Sequence, residues 1–398
     1  MAERTLKIFV LPSWYPPNEG AFFEQHSQAL TKKGAEVTVL AVNNVGPLNF
    51  IMSRGKGTSI SKFAFNQGIK EYRRICLVWP KSYFRNIKHW IEAAVSLYEN
   101  VSAKEGQPDF IQVHSSMWAG AAAAQIKKKY GVPYVLTEHR GRFIKKSGDN
   151  LKLYPTYQKD LLYSAFKNAD HLIAVSNKLK EGMKEYFEGE AIPDISLVPN
   201  MVNTEFFDLQ KEKGRPADEF TFFFLGELQW HKGVDLLIKA FYGLLHQKDR
   251  KCRLIIGGEG KGKRHLMKLI KHYEIEESVS FTGKLSREEV KDYMQFADGF
   301  VLPSRYEAFG VVLLEAMASG LPVVATKSGG PEDFVPELAG YLIEPGDDKA
   351  LMEAMNKMVL ERTTFKDEEI AAYVRENFSP QVISEQYLKL YKEILFKG

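Results

Sequence analysis

Cysteine is nearly absent: Cys76 and Cys252 are the only two in 398 residues, far apart and in no CxxC or Cys/His spacing, so neither a disulfide framework nor zinc is expected. Long apolar runs are missing too. The most apolar region, 299–326, is interrupted by Arg305, Glu307 and Glu315 and cannot supply the 18 or more charge-free residues of a spanning helix. The early run "LKIFVLP" stops at Pro12 with no small-residue cleavage site behind it, which argues against a secretory signal. A cytoplasmic protein is the expectation that follows.

What is present is the composition of a packed globular chain, with 44% apolar and 26% charged residues. At 398 residues two domains are expected. Charge is uneven between the halves, +8 over residues 1–205 and −4 over residues 206–398.

Short β-rich runs alternate with helical patterns throughout. "LKIFVLP", "EVTVLA", "FIQVH", "YVLTEH", "HLIAVS" and "ISLVPN" come first, then the polar interruption "DLQKEKGRPADE", then "FTFFFLG", "CRLIIGG", "VSFTG", "GFVLPS", "LPVVAT" and "GYLIEPGD". The runs lack period-two alternation, as in strands covered on both faces, which predicts α/β architecture with parallel sheets. The interruption predicts a junction near 200–215, and hence two doubly wound, Rossmann-like domains with a cleft between them. In such sheets chemistry is expected just beyond the carboxyl ends of the strands.

The stretch "SRYEAFGVVLLEAMASGLPVV" carries two glutamates in a strand–turn–helix pattern. One turn before Glu315 on the helix are Val311 and Val312, and one turn after is Ser319, so its carboxylate falls on an apolar face. Such a group costs several kcal/mol unless hydrogen-bonded, and a polyhydroxylated ligand would supply the bonds. Eight residues of helix rise about 12 Å, while even an inverting glycosidase keeps its carboxyls within about 9.5 Å, which disfavours a glycosidase pair.

"PSRYEAFGVVLLEAMASGLPVVATKSGGPEDFV" resembles the Glu-seven-Glu signature of the family-four retaining glycosyltransferases, which have the two-domain GT-B fold. The likeness runs on through "LPSWYPP", "GAFFEQHSQALTKKGAEVTVLA", "TEH", "AVSNKL", "VPNMVNTEFF" and "FLGELQWHKGVDLLIKAF", so it covers nearly the whole chain. The resemblance implies transfer from a UDP- or GDP-sugar to a saccharide or lipid-linked acceptor, with retention, no cofactor and no metal. Glu307 would lie beside the donor sugar and Glu315 would bind the ribose. The amides of Phe309 and Gly310 would face the sugar or diphosphate, since helix starts suit anions.

By the same resemblance, Gly20 borders the diphosphate, Lys232 in "WHKGVD" holds it, and His114 stands next to the reacting centre. His139 and Arg140, after the next strand, belong to the acceptor side. The family often has an arginine five residues before the lysine. Here that residue is Glu227, and either Lys261, Lys263 or Arg305 replaces the missing cation or Glu227 turns to bind a hydroxyl. "GGEGKGK", residues 257–263, nearly reads as a phosphate loop, but Arg264 stands where Ser or Thr would bind magnesium. Gly258 and its neighbours are therefore read as lining the donor cleft.

The implied domains are 1–205 on the acceptor side and 206–375 for the nucleotide-sugar, with 376–398 forming a helix that crosses back to the first. Residues 54–88 hold nine Lys/Arg against Glu71 alone, interleaved with six aromatics. That mixture suits an anionic membrane surface, and with no nucleic-acid motif beside it, peripheral membrane docking is the expectation. Overall the reading is of a metal-independent retaining transferase building a surface polysaccharide or glycolipid. An epimerase or hydrolase on the same scaffold, or a non-catalytic sugar-nucleotide binder, would share these features.

Overall fold

A computed structural model describes residues 5–15, 21–47, 61–66, 68–144, 156–187, 189–209, 219–247 and 251–396. Two compact units emerge. The first comprises Met1–Val175, Lys180–Pro199 and Pro380–Gly398, the second Ser176–Leu179 and Asn200–Ser379.

The first unit is built on β1 (Lys7–Pro12), β2 (Glu36–Val45), β3 (Ser61–Asn66), β4 (Ile69–Leu77), β5 (Phe110–His114), β6 (Tyr134–Glu138), β7 (His171–Ala174) and β8 (Ile195–Leu197), in sheet order β3-β4-β2-β1-β5-β6-β7-β8. Every pairing is parallel except β3 with β4. Residues of β5 and β6 are buried without alternation, as strands covered on both faces must be. The helix Pro380–Phe396 belongs to this unit and packs on the helix Ala21–Lys32. Its Tyr391 hydroxyl donates to Gln112 Oε1 at 2.7 Å, which satisfies a buried amide in the middle of β5.

The hairpin β3–β4 was not among the expected strands, because it falls within the basic stretch. The three cations of β4 are engaged inside the unit: Lys70 pairs with Glu105 (2.6 Å) and Glu36 (3.1 Å), Arg73 with Glu71 (2.7 Å), and Arg74 donates to Ser96 (2.7 Å).

The second unit holds β9 (Glu219–Leu225), β10 (Lys251–Gly257), β11 (Val279–Gly283), β12 (Gly299–Leu302), β13 (Val323–Thr326) and β14 (Gly340–Ile343). The order β11-β10-β9-β12-β13-β14 is wholly parallel. Counted within the unit this is 3-2-1-4-5-6, the doubly wound nucleotide-binding order, whose direction reverses between β9 and β12. The corresponding reversal in the first unit lies between β1 and β5.

Candidate functional site

In the second unit the reversal places two loops side by side, Gly226–Gly233 after β9 and Pro303–Gly310 after β12. They are locked together by backbone. Arg305 N–H donates to the His231 carbonyl at 2.7 Å, and a Cβ on Gly233 would lie 1.9 Å from the Pro303 carbonyl oxygen. Only glycine allows that approach, and its φ of 69° is left-handed as well. The His231 and Tyr306 rings stack at 4.9 Å.

Lys232 and Glu307 meet in this junction, Nζ to Oε2 at 2.5 Å, with each side chain mostly buried. Ser304 Oγ also faces that carboxylate oxygen at 3.4 Å. Glu307 is held from behind as well, because its N–H donates to Ser328 O (2.9 Å) and its carbonyl accepts from Gly330 N–H (3.0 Å).

The helix Val311–Ala318 starts at Gly310, whose φ of 93° turns the chain from loop into helix. It ends as its sequence predicts, with Gly320 at φ 73°, Gly320 N–H on Met317 O (2.9 Å) and Leu321 N–H on Ala316 O (3.0 Å). Phe309 is buried, stacks on Phe334 at 4.7 Å, and is closely backed by Gly330. Thus the Phe309–Gly310 corner is fixed on both sides.

Glu315 lies on that helix, half-buried. Its carboxylate makes no hydrogen bond or ion pair among the described residues. The Ser319 hydroxyl one turn on donates instead to the Glu315 backbone carbonyl (3.1 Å). Burial pushes the Glu315 carboxyl up to about 7, against a smaller downward pull from Arg287. The fold therefore carries a half-buried carboxylate to which the described residues offer no partner.

The remaining donor-side candidates have protein partners. Arg305 forks onto Asp235 (2.8 and 2.7 Å), donates to the Trp230 carbonyl (2.6 Å) and lies 4.6 Å over the exposed Trp230 ring. Burial would raise the Asp235 carboxyl, but the Arg305 guanidinium outweighs it and holds it below the usual carboxylate range. Lys263 pairs with Glu259 at 2.7 Å, and the exposed Glu227 accepts a hydrogen bond from Gln229. Of the three cations considered as replacements, Arg305 and Lys263 are thus already neutralised. Gly258 (φ 116°) has a packing cause, since a Cβ there would sit 2.0 Å from the Gly226 carbonyl oxygen. Gly260 and Gly262 approach Leu228 in the same way.

In the first unit His114 ends β5 and is 1% exposed. Both its ring nitrogens are taken: Nε2 faces His26 Nδ1 at 3.1 Å and Nδ1 faces His139 Nε2 at 3.1 Å. Its ring stacks on Phe23 at 4.5 Å. Burial pushes the His26 imidazole down to about 3, and burial with the two neighbouring rings holds His114 well below its ordinary value. All three imidazoles therefore form one continuous array. His139 is its half-buried end, and the next residue, Arg140, lies 5.0 Å over the Trp14 ring. Gly20 lies outside the described residues.

Sequence reasoning missed Glu138, the last residue of β6. It is fully buried, and its carboxylate accepts from Ser115 Oγ (3.2 Å), Ser116 N–H (2.9 Å), the Ser116 hydroxyl, His139 N–H (2.9 Å) and Arg140 N–H (2.9 Å). Those bonds secure the turn after β5, where Ser115 (φ 72°) and Trp118 (φ 82°) adopt left-handed backbone without being glycine. Glu138→Ala leaves several buried donors unpaired and is expected to cost about 3–5 kcal/mol. Hydrogen–deuterium exchange should show faster exchange at the amides of Ser116, His139 and Arg140, with those of β13 unchanged.

Comparison with known proteins points one way. Residues 205–377 match the glycosyl transferases group 1, and residues 20–206 match glycosyltransferase family 4. The chain is 29% identical over 373 residues to TuaC of Bacillus subtilis (strain 168), named as a teichuronic acid biosynthesis glycosyltransferase, covering 88% of this chain and 89% of that one. It is 26% identical over 343 residues to N-acetyl-alpha-D-glucosaminyl L-malate synthase of Bacillus anthracis, covering 81% and 87%. Among solved structures, sucrose-phosphate synthase from Thermosynechococcus elongatus superposes with a TM-score of 0.81 at 21% identity, over 98% of this chain and 100% of that one. Anabaena Alr3699/HepE in complex with UDP and glucose gives 0.71 at 18%, with the same coverage.

Proposed function

The chain belongs to the group 1, family four glycosyltransferases and has the GT-B fold, and from that premise we propose a retaining, metal-independent transfer from a UDP- or GDP-sugar to a saccharide or lipid-linked acceptor. The observation that carries the reading is the Glu315 carboxylate, which the described residues leave without a partner, on the helix whose start at Gly310 follows the loop where Lys232 pairs with Glu307, at the reversal point of a nucleotide-binding sheet order. Paired ribose hydroxyls would supply the donors that the fold withholds from it.

The assignments follow from charge and position. Lys232 opens from Glu307 to meet the diphosphate, and the Phe309 and Gly310 amides at the helix start receive the same anion. Glu307, freed, accepts from hydroxyls of the donor sugar. Arg305 acts through Asp235 and Trp230 by fixing the loop, and Gly258 by letting loops pack closely. Glu227, exposed and next to this junction, binds a hydroxyl. In the first unit His114 adjoins the reacting centre, with His139 and Arg140 on the acceptor side. The acceptor oxygen bonds to the anomeric carbon as the carbon–phosphate oxygen bond breaks on the same face, and the leaving phosphate takes the acceptor's proton.

The naming of TuaC for teichuronic acid biosynthesis supports a surface polysaccharide or glycolipid as product, and the UDP complexes of HepE support a nucleotide donor. Thermal-shift screening against UDP-, GDP- and ADP-sugars, then incubation with acceptors, tests the reading. Product should form only with acceptor present, with the donor's anomeric configuration by NMR and undiminished in EDTA. Product without acceptor, inverted product or chelator inhibition would each count against it.

Membrane docking is proposed through a narrower surface than residues 54–88, since Lys70, Arg73 and Arg74 are engaged within the unit. Around the start of the helix Tyr83–Glu105, Trp79, Tyr83 and Phe84 are exposed together with Lys81, Arg85 and Lys88. No helix among the described residues is long and apolar enough to cross a membrane. With each cation contributing about 1 kcal/mol, reversing all three to Glu should weaken binding to anionic vesicles by roughly a hundredfold or more. Co-sedimentation at low and high salt decides: wild-type binding indifferent to salt, or a variant that binds equally, removes the proposal.

A further inference from the structure

A cavity of about 300 Å3 in the first unit is lined by residues of the helices Tyr83–Glu105, Ala121–Tyr130 and Thr156–Lys167. It has no part in the donor site. Phe84, Ile87 and Ile91, which share one stripe of the first helix, and Leu161 of the third give it apolar walls. Lys88 and Glu92 line it too, and both are exposed, so its charged groups stand at the mouth. Walls of this kind offer a sugar hydroxyl no partner, whereas a hydrocarbon gives up no hydrogen bond on entering. At about 30 Å3 for a group the size of water, there is room for roughly ten methylenes.

The mouth is cationic. No acidic residue occurs from position 72 to 91, and the exposed Lys81 and Arg85 form no ion pair among the described residues. Lys88 meets Glu92 only at 4.0 Å, an exposed contact of the kind that holds little energy and yields to a competing anion. This corner is also firmly held. The buried Asn86 accepts from Trp79 N–H at 2.9 Å and donates to the Trp79 carbonyl at 2.8 Å, which fixes the turn before the helix. An apolar chamber behind a preorganised cationic mouth matches the two halves of an anionic amphiphile.

The same helix leads toward the reacting edge. Tyr83 and Trp90 both meet Trp118 edge to face, with ring centroids 6.4 and 5.9 Å away, and Trp118 is four residues beyond His114 on the turn after β5. We infer that this cavity receives the hydrocarbon chain of a lipid-linked acceptor, whose phosphate rests on Lys88 and Arg85 and whose saccharide is thereby carried toward His114. This rests on the proposed reading of a lipid-linked acceptor, with His114 adjoining the reacting centre. A lipid of the bilayer would gain nothing from a chamber beside that turn, which is why the acceptor is the assigned occupant.

Calorimetric titration of the full chain with n-alkyl phosphates from butyl to dodecyl, each below its micelle concentration, tests the chamber. Affinity should rise about threefold per added methylene and level off near decyl. Inorganic phosphate should not bind detectably, and decanol should bind at least about tenfold more weakly than decyl phosphate. Leu161→Trp and Gln125→Trp, made separately so that one folded variant suffices, should each weaken decyl phosphate binding about tenfold or more. Affinity that climbs without a plateau, that ignores the phosphate, or that survives both substitutions overturns the inference. Two further measurements separate the occupants. Binding to anionic vesicles should stay within about twofold of wild type in either variant, and a loss as large as that for decyl phosphate would assign the cavity to the bilayer instead. With the acceptor sugar that the screen selects, the ratio of kcat/KM for its decyl glycoside to that for its methyl glycoside should fall about tenfold in the variants, and an unchanged ratio overturns the acceptor assignment. Alkyl phosphate binding in a protein that transfers no sugar would remove the functional reading, whereas transfer without such binding would remove this inference alone.

Discussion

Glu315→Gln is expected to make the protein more stable and less able to hold its nucleotide. The native carboxyl sits at about 7 and the unfolded one at 4.5, so between those values the native state binds a proton that the unfolded state does not. Stability therefore falls as pH rises through this window, and the full cost is present above pH 7. A shift of this size corresponds to about 3 kcal/mol as an upper figure, reduced by the partial exposure of the group. The neutral amide removes the cost. Calorimetry should show the variant unfolding at higher temperature than wild type at pH 8.5 and at the same temperature near pH 4.5. Nucleotide affinity should fall roughly a hundredfold or more, since two hydroxyl bonds to a charged acceptor are each worth about 1.5–3 kcal/mol. A gain in stability joined to a loss of binding is the mark of a residue kept for its ligand.

Lys232→Ala should lower kcat by roughly a hundred- to a thousandfold, as removal of one preorganised charge at a leaving group commonly does. Lys232 is tied to Glu307 at 2.5 Å in a mostly buried junction, so the variant also leaves a carboxylate facing the diphosphate without its counter-charge. For that reason the two positions should not be additive. Lys232→Ala combined with Glu307→Gln is expected to be no worse than the more damaging single change, because removing the second charge relieves the repulsion created by the first. Single-turnover kinetics with saturating donor checks this. Additive losses would mean that the pair is incidental and that the two side chains act on separate parts of the substrate.

The α/β alternation could be read from sequence because each parallel strand is a continuous apolar run, and runs such as "FIQVH" and "GFVLPS" appear where β5 and β12 form. The hairpin β3–β4 could not, since its stabilising pairs, such as Lys70 with Glu105, join residues 35 apart and look like surface charge in one dimension. Glu315 was legible because a helix repeats every 3.6 residues and exposes a misplaced carboxylate to simple counting. The same rule hid His26, which occupies an unremarkable position in "AFFEQHSQALTK" and acquires meaning only when β5 brings His114 to it. Glu138 was hidden for a similar reason, as its five donors converge from two strand ends. Arg305 was considered for phosphate because Asp235, its partner 70 residues away, could not be foreseen. Local periodicity carries the elements and the exceptions within them, whereas contacts between strand ends need the sheet order.

The most direct measurement is a calorimetric cycle with the nucleoside diphosphate that the donor screen selects, titrated beside its 2′,3′-dideoxy analogue into wild type and Glu315→Ala. Loss of the ribose hydroxyls should weaken binding to wild type by roughly a hundredfold and leave binding to the variant almost unchanged, because the group that receives them is gone. An equal loss in both proteins would show that the hydroxyls are held elsewhere, and would contradict the assignment of Glu315 on which the donor site is built.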